Sequence, residues 1–194
     1  MSFTPSRYVP LGSRVVAVAG RSMPAKVCWF VGSAYLFLWV PDLDLALLPI
    51  LHHRSIVTHS ILPALLLIVL GRNLGAAPVA GGLIGIAVHL SCDLLSPMTG
   101  FAQIWLPMPI KMGLGPFSYL WLLANALVAY VWAQRIAVRT FPLWLSVPLF
   151  IATAAGTGVL YGIFNEQALT AVLVSLGILA TSMTWGARYP SALR

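Results

Sequence analysis

The chain has 194 residues, of which 60% are hydrophobic and 8% charged, and a net charge of +7 at pH 7. Soluble domains carry roughly a quarter charged residues, so this composition, with a mean hydropathy of +0.93, excludes an ordinary soluble protein and implies an integral membrane one. A hydrocarbon core roughly 30 Å thick takes about 20 helical residues per crossing. The expected architecture is therefore an all-α polytopic membrane helix bundle with about six transmembrane helices.

Residues 1–26 carry Arg7, Arg14, Arg21 and Lys26 without a long apolar core, which reads as a basic cytoplasmic lead-in rather than a cleavable signal. Residues 27–194 read as one transmembrane domain, with apolar segments at 27–48, 56–71, 74–95, 117–134, 141–164 and 167–187. The breaks are "PDLD", "GRNLG", the Pro- and Gly-rich stretch from Ser96 to Pro116, "RIAVRT" and "FNEQ". The first two segments are short, with 14 residues before Pro41 and ten after Ser60, so their polar ends are expected to dip into the membrane. With six crossings and a cytoplasmic amino terminus, nine Lys and Arg fall inside and only Arg54 and Lys111 outside. The positive-inside rule then puts both termini in the cytoplasm. The basic residues are dispersed and form no aromatic-interleaved patch, so nucleic acid is not an expected partner and membrane lipids are. Cys28 and Cys92 form no CxxC pair, and no disulfide is indicated. Trp105, Trp121, Trp132 and Trp144 read as interfacial anchors or packing residues.

All four histidines and three of the four acidic residues lie between positions 42 and 93, and only Glu166 lies outside. Ionisable groups at membrane depth are costly and mark functional sites. Carboxylate oxygens and imidazole nitrogens together are the ligand set of zinc, manganese or iron. In "HLSCD", His89 and Asp93 stand at i and i+4, one turn apart on a helix face. In "HHRSIVTHS", His52 and His59 would share a face of a continuous helix, whereas a loop ahead of Ser55 would leave His53 able to point inward; the spacing leaves both open. After Pro41, extended backbone would put Asp42 and Asp44 on one side. Two carboxylates and up to four imidazoles, with Asp93 in addition, exceed the needs of one tetrahedral ion, so one or two divalent ions are expected, zinc first. Arg54 is the permanent cation inside the motif and suits a substrate phosphate through its two-pronged geometry. Ser60 fits a helix cap better than a nucleophile.

Taken in order, "LWVPDLDLALLPILHHRSIVTHS" and "HLSCDLLSPMTG" resemble the bacterial membrane-bound metal-dependent hydrolase family associated with LexA regulation. The match covers residues 41–100, the motif-bearing part of the chain. The resemblance implies an inner-membrane protein with Asp42, Asp44, His53, His59, His89 and Asp93 as metal-site positions and Arg54, Thr58 and Ser60 nearby. The His stretch is one residue longer than the commoner form, which keeps His52 as a substitute for His53, and Ser96 stands where the family has Thr. A distant similarity to zinc phospholipases C and P1-type nucleases implies phosphoester hydrolysis.

The reading is a hydrolase whose site lies near the outer face and acts through a metal-activated water on an amphiphilic, phospholipid-like substrate. Arg54, His59 and Asp93 are its expected catalytic residues, with Arg54 on the phosphate rather than on the metal. The rivals are a divalent-metal transporter, which needs polar residues continuing across the bilayer, and a non-catalytic protein with a structural metal. Nothing in the sequence indicates the oligomeric state.

Overall fold

The computed structural model describes residues 22–97 and 101–188, without the side chains of 72 and 186–188. Most of the basic lead-in, residues 1–21, lies outside the described residues, as do 98–100 within the 96–116 connection and 189–194 at the carboxyl end. The described chain is all-helical, as its composition requires. The six apolar segments correspond to α1 (Met23–Phe37), α2 (Leu62–Leu70), α3 (Ala76–Asp93), α4 (Phe117–Thr140), α5 (Leu143–Leu160) and α6 (Leu169–Arg188).

Not all of them are full crossings. α3, α4 and the run Leu143–Asn165, which is α5 continued by one π turn, are long and apolar enough to span a membrane. A fourth span results if α1 and the short 3-10 helix Pro41–Leu47, bent by 44°, count as one broken helix. α6 is apolar over a shorter stretch, Leu169–Trp185. α2 has nine residues and so rises only about 14 Å.

The shortness of α2 has a local cause. The amides of residues 55 and 56 are committed elsewhere: Ser55 N–H donates to Asp44 and Ile56 N–H to the Trp105 carbonyl. Pro63 then sits in the first turn of α2, the helical position a proline tolerates. Ser60 Oγ accepts from Leu62 N–H at 3.0 Å, a local turn one residue ahead of Ile61, the N-cap of α2.

α3 is the axis of the bundle, with every residue from Ala77 to Asp93 buried. It can occupy the centre because one face is nearly bare. A Cβ at position 81 would run into the Phe30 carbonyl, and one at 85 into the Ala34 carbonyl. Glycines four residues apart thus let α1 and α3 meet backbone to backbone, the close packing favoured where no hydrophobic effect drives helices together. On its other flank α3 packs against α4. This arrangement brings the carboxyl ends of α1 and α3, the amino end of α4 and the α5–α6 junction to one end of the bundle.

Candidate metal centre

The stretch from His52 to Ile61 is irregular, and its shape is set by neighbours. Asp44, fully buried, accepts from Ser55 N–H at 2.9 Å and from the Thr58 hydroxyl at 2.7 Å. Residues around Trp105 lie alongside: Trp105 N–H donates to the Arg54 carbonyl at 3.0 Å, and Ile56 N–H to the Trp105 carbonyl at 2.8 Å. From α4, the Trp121 indole donates to the His59 carbonyl at 2.8 Å, and Asn125 Oδ1 accepts from Ile61 N–H at 2.5 Å. Trp121 is therefore a specific tether of the histidine loop, a role beyond the anchoring its type suggests.

Within this frame three buried groups converge. His59 Nε2 and His89 Nε2 are 3.3 Å apart, and Asp93 Oδ2 lies 3.1 Å from the first and 3.4 Å from the second. The tautomers follow from the opposite ring nitrogens. His89 Nδ1 is 2.7 Å from the Leu38 carbonyl, which can only accept, so Nδ1 carries a proton and Nε2 is the nitrogen left to face the cluster. His59 Nδ1 faces Thr58 Oγ1 at 3.1 Å and Asp44 Oδ2 at 3.4 Å, and the same assignment holds. Two ring nitrogens and a carboxylate oxygen thus face one another in a buried space. Such a group can be satisfied by a proton shared between an imidazole and Asp93, or by a bound divalent cation. The outer contacts are those that orient metal-binding histidines, a carbonyl behind one ring and a carboxylate behind the other.

Asp42 joins this set from the side. Its Oδ1 is 3.7 Å from His89 Nε2, and 18% of its side chain remains exposed, so the cluster is reached past Asp42. Asp42, His59 and His89 form one group able to hold a divalent ion, and Asp42, Asp44 and His53 form a second. Asp42 belongs to both. The backbone that presents Asp42 and Asp44 is a 3-10 helix rather than the extended strand expected after Pro41, because proline is compatible with a first helical turn.

The choice between the adjacent histidines is decided by Arg54, whose φ of 59° reverses the chain after them. His53 Nδ1 turns inward to Asp44 Oδ1 at 3.3 Å. His52 turns away and stacks on Trp105 with ring centroids 4.4 Å apart, outside both groups. The Asp44 hydrogen bond holds the His53 imidazole above its ordinary pKa of 6.5, against its partial burial; the charges of Asp44 and Asp42 add to the rise and Arg54 opposes it.

Arg54 is itself buried. One guanidinium nitrogen donates to Asp93 Oδ1 at 3.1 Å and lies 3.9 Å from Glu166 Oε2, while Nη1 has no partner among the described residues. It therefore grips a candidate metal ligand, whereas the sequence reading put it on substrate alone. Glu166 reaches the site from the α5–α6 junction, where the Ser96 hydroxyl and the Asn165 amide donate to it. Tyr161, on the π turn, tilts against His89 at 4.8 Å between ring centroids, with its hydroxyl 3.5 Å from Asp42 Oδ2. Neither residue was a sequence candidate. For Glu166 a signal existed, since it is the chain's one remaining acid and stands between two apolar segments. No family model, curated protein or solved structure matches the chain.

Proposed function

We propose that the protein is a membrane-embedded metal-dependent hydrolase of the kind its motifs resemble, cleaving a phosphoester in an amphiphilic substrate. The observation that carries this reading is the convergence of the buried His59 Nε2, His89 Nε2 and Asp93 Oδ2 on one another. Their 3.1–3.4 Å separations are close to the edge of about 3.3 Å that bonds of about 2.0–2.1 Å give in a tetrahedral site, which favours zinc. Asp42, His59, His89 and Asp93 would hold one ion, and Asp42, Asp44 and His53 would frame a second. A bound divalent ion supplies Lewis acidity and activates a water at neutral pH.

The surrounding residues supply positioning and selectivity. Arg54 holds Asp93 by one nitrogen and has Nη1 left for a phosphate oxygen. An apolar groove of about 530 Å³ runs between the 3-10 helix and α2, and Thr58, the Asp44 partner, forms part of its wall. Leu43, Leu47, Leu62 and Leu66 line it, so a lipid-like tail can lie there while its headgroup meets the cluster.

The test is metal analysis of the detergent-purified protein, with turnover of phospholipids, isoprenoid phosphates and neutral esters measured before and after chelation. Phosphoester turnover that stops on chelation and returns with zinc is expected. Absence of bound metal, or turnover of neutral esters alone, would overturn the assignment.

The inner membrane with cytoplasmic termini is the proposed location. Arg139, exposed at the end of α4, is a suitable reporter because neighbouring Ala137 is buried. In a chain lacking Cys28 and Cys92, an impermeant thiol reagent applied to intact cells should label Lys111→Cys and leave Arg139→Cys untouched; the reverse pattern would invert the orientation.

A further inference from the structure

The end of α3 remote from the acidic cluster carries a different chemistry. There the start of α1, the start of α3 and the end of α4 enclose a cavity of about 340 Å³. Its charged walls are Lys26 and Arg139, and no acidic side chain lines it. Past Trp29, Leu74 and Pro78, which belong to both, it adjoins a second cavity of about 620 Å³ that follows α1 from Ala25 to Phe37. That trough is apolar. Its one hydroxyl, Ser33, is already spent on the Trp29 carbonyl at 2.6 Å.

Gly32 gives the trough its depth. Glycine inside a helix costs about 1 kcal/mol relative to alanine, and Gly81 and Gly85 offset that cost by close helix contact. Gly32 does not, because a Cβ there would meet nothing within 4 Å. The space it leaves is space in the trough.

We propose that this is a binding site for one anionic phospholipid, its phosphate between Lys26 and Arg139 and one acyl chain in the trough beside Gly32. Two cations without a counter-charge among the described residues complement a phosphodiester, and basic pockets between transmembrane helices take anionic headgroups. The length agrees: Ala25 to Phe37 spans about 18 Å of helix rise, close to one leaflet of roughly 15 Å. The neighbouring residues 1–21 carry three arginines and no acid, so they do not complement the cations. The site is independent of the hydrolase reading, lying about 20 Å along α3 from His89 and Asp93.

Cys28 lines the trough and is exposed, whereas Cys92 is buried, so Cys28 alkylation reports occupancy. The full chain, delipidated in detergent, is titrated with phosphatidylglycerol or phosphatidylcholine while the melting temperature and the alkylation rate are followed. Phosphatidylglycerol should raise the melting temperature and slow alkylation about tenfold, and phosphatidylcholine should do neither. Lys26→Gln and Arg139→Gln should each weaken the phosphatidylglycerol effect about fivefold. Gly32→Phe should melt as the lipid-free protein does and lose the lipid-dependent shift. Equal protection by both lipids, equal protection by glycerol phosphate, or full discrimination in the Lys26→Gln/Arg139→Gln double variant would overturn the proposal. So would faster Cys28 alkylation of the lipid-free protein on deletion of residues 1–21, which would make the chain's own segment the occupant.

Discussion

The two halves of α3 hold their surroundings in opposite ways. From Ala76 to Val88 the helix is built of Gly, Ala, Pro and branched aliphatics, and it packs by shape, with Gly81 and Gly85 seated against the α1 backbone. At His89 and Asp93 it packs by charge, with four carboxylates, one guanidinium and three imidazoles gathered around irregular backbone. The first half is complete as a protein structure. The second gathers buried carboxylates and imidazoles into groups able to hold a divalent ion. The comparison separates residues whose loss should be felt through metal from those felt through packing alone.

The largest effect should come from breaking the charged half. His59→Ala, His89→Ala and Asp93→Ala should each weaken zinc binding more than about 100-fold, since losing a mere supporting contact costs 10–100-fold. His52→Ala should stay within about twofold, because its ring lies on Trp105 rather than in the cluster. Competition against a chelator of known affinity measures both. Wild-type affinity in all three ligand variants would remove the metal centre, and a large loss in His52→Ala would reverse the choice between the paired histidines.

Breaking the other half should leave metal chemistry alone. Gly85→Leu sets a side chain against the Ala34 carbonyl and the Leu38 amide, which should cost about 3 kcal/mol of stability. Its signature is a lower melting temperature by the same amount with and without metal. A metal-dependent difference would mean that the two halves are coupled more tightly than their packing indicates.

The smallest expected effect is a pH dependence confined to the charged half. The folded-state pKa of His53 lies above 6.5, so its protonated form stabilises the metal-free fold below that value. This contribution fades as pH rises through the raised pKa. A bound ion competes with the same proton and gains affinity over the same rise. Metal-free protein should therefore lose a few degrees of melting temperature between about pH 6 and pH 8 while zinc-loaded protein gains, and His53→Gln should flatten both trends. Parallel curves for the two forms would place His53 outside the metal's reach.

Much of this was legible in one dimension because charge in a membrane chain is rare. An all-helical class follows from the hydropathy of the segments, and a polar centre follows from histidines and aspartates crowding into residues 42–93. The i, i+4 relation of His89 and Asp93 needs nothing beyond helix geometry, and the structure has both on one helix, with Asp93 Oδ2 3.4 Å from His89 Nε2. Crossing lengths were less legible, since hydropathy does not register that the Ser55 and Ile56 amides donate to Asp44 and to the Trp105 carbonyl instead of to a helix.

What the sequence by itself determined is thus what depends on local composition: helices where apolar residues run long enough to bury, and a set of donor atoms too costly to leave scattered in lipid. What only the tertiary structure decided is how separate segments meet. The left-handed Arg54 turned His53 inward and His52 out. The π turn and the α5–α6 junction carried Tyr161 and Glu166 back to residues seventy or more positions earlier. Such convergence has no sequence signature, because it depends on distances between elements that are set by glycine-scale packing of α1 on α3 and by the few hydrogen bonds that hold the loop.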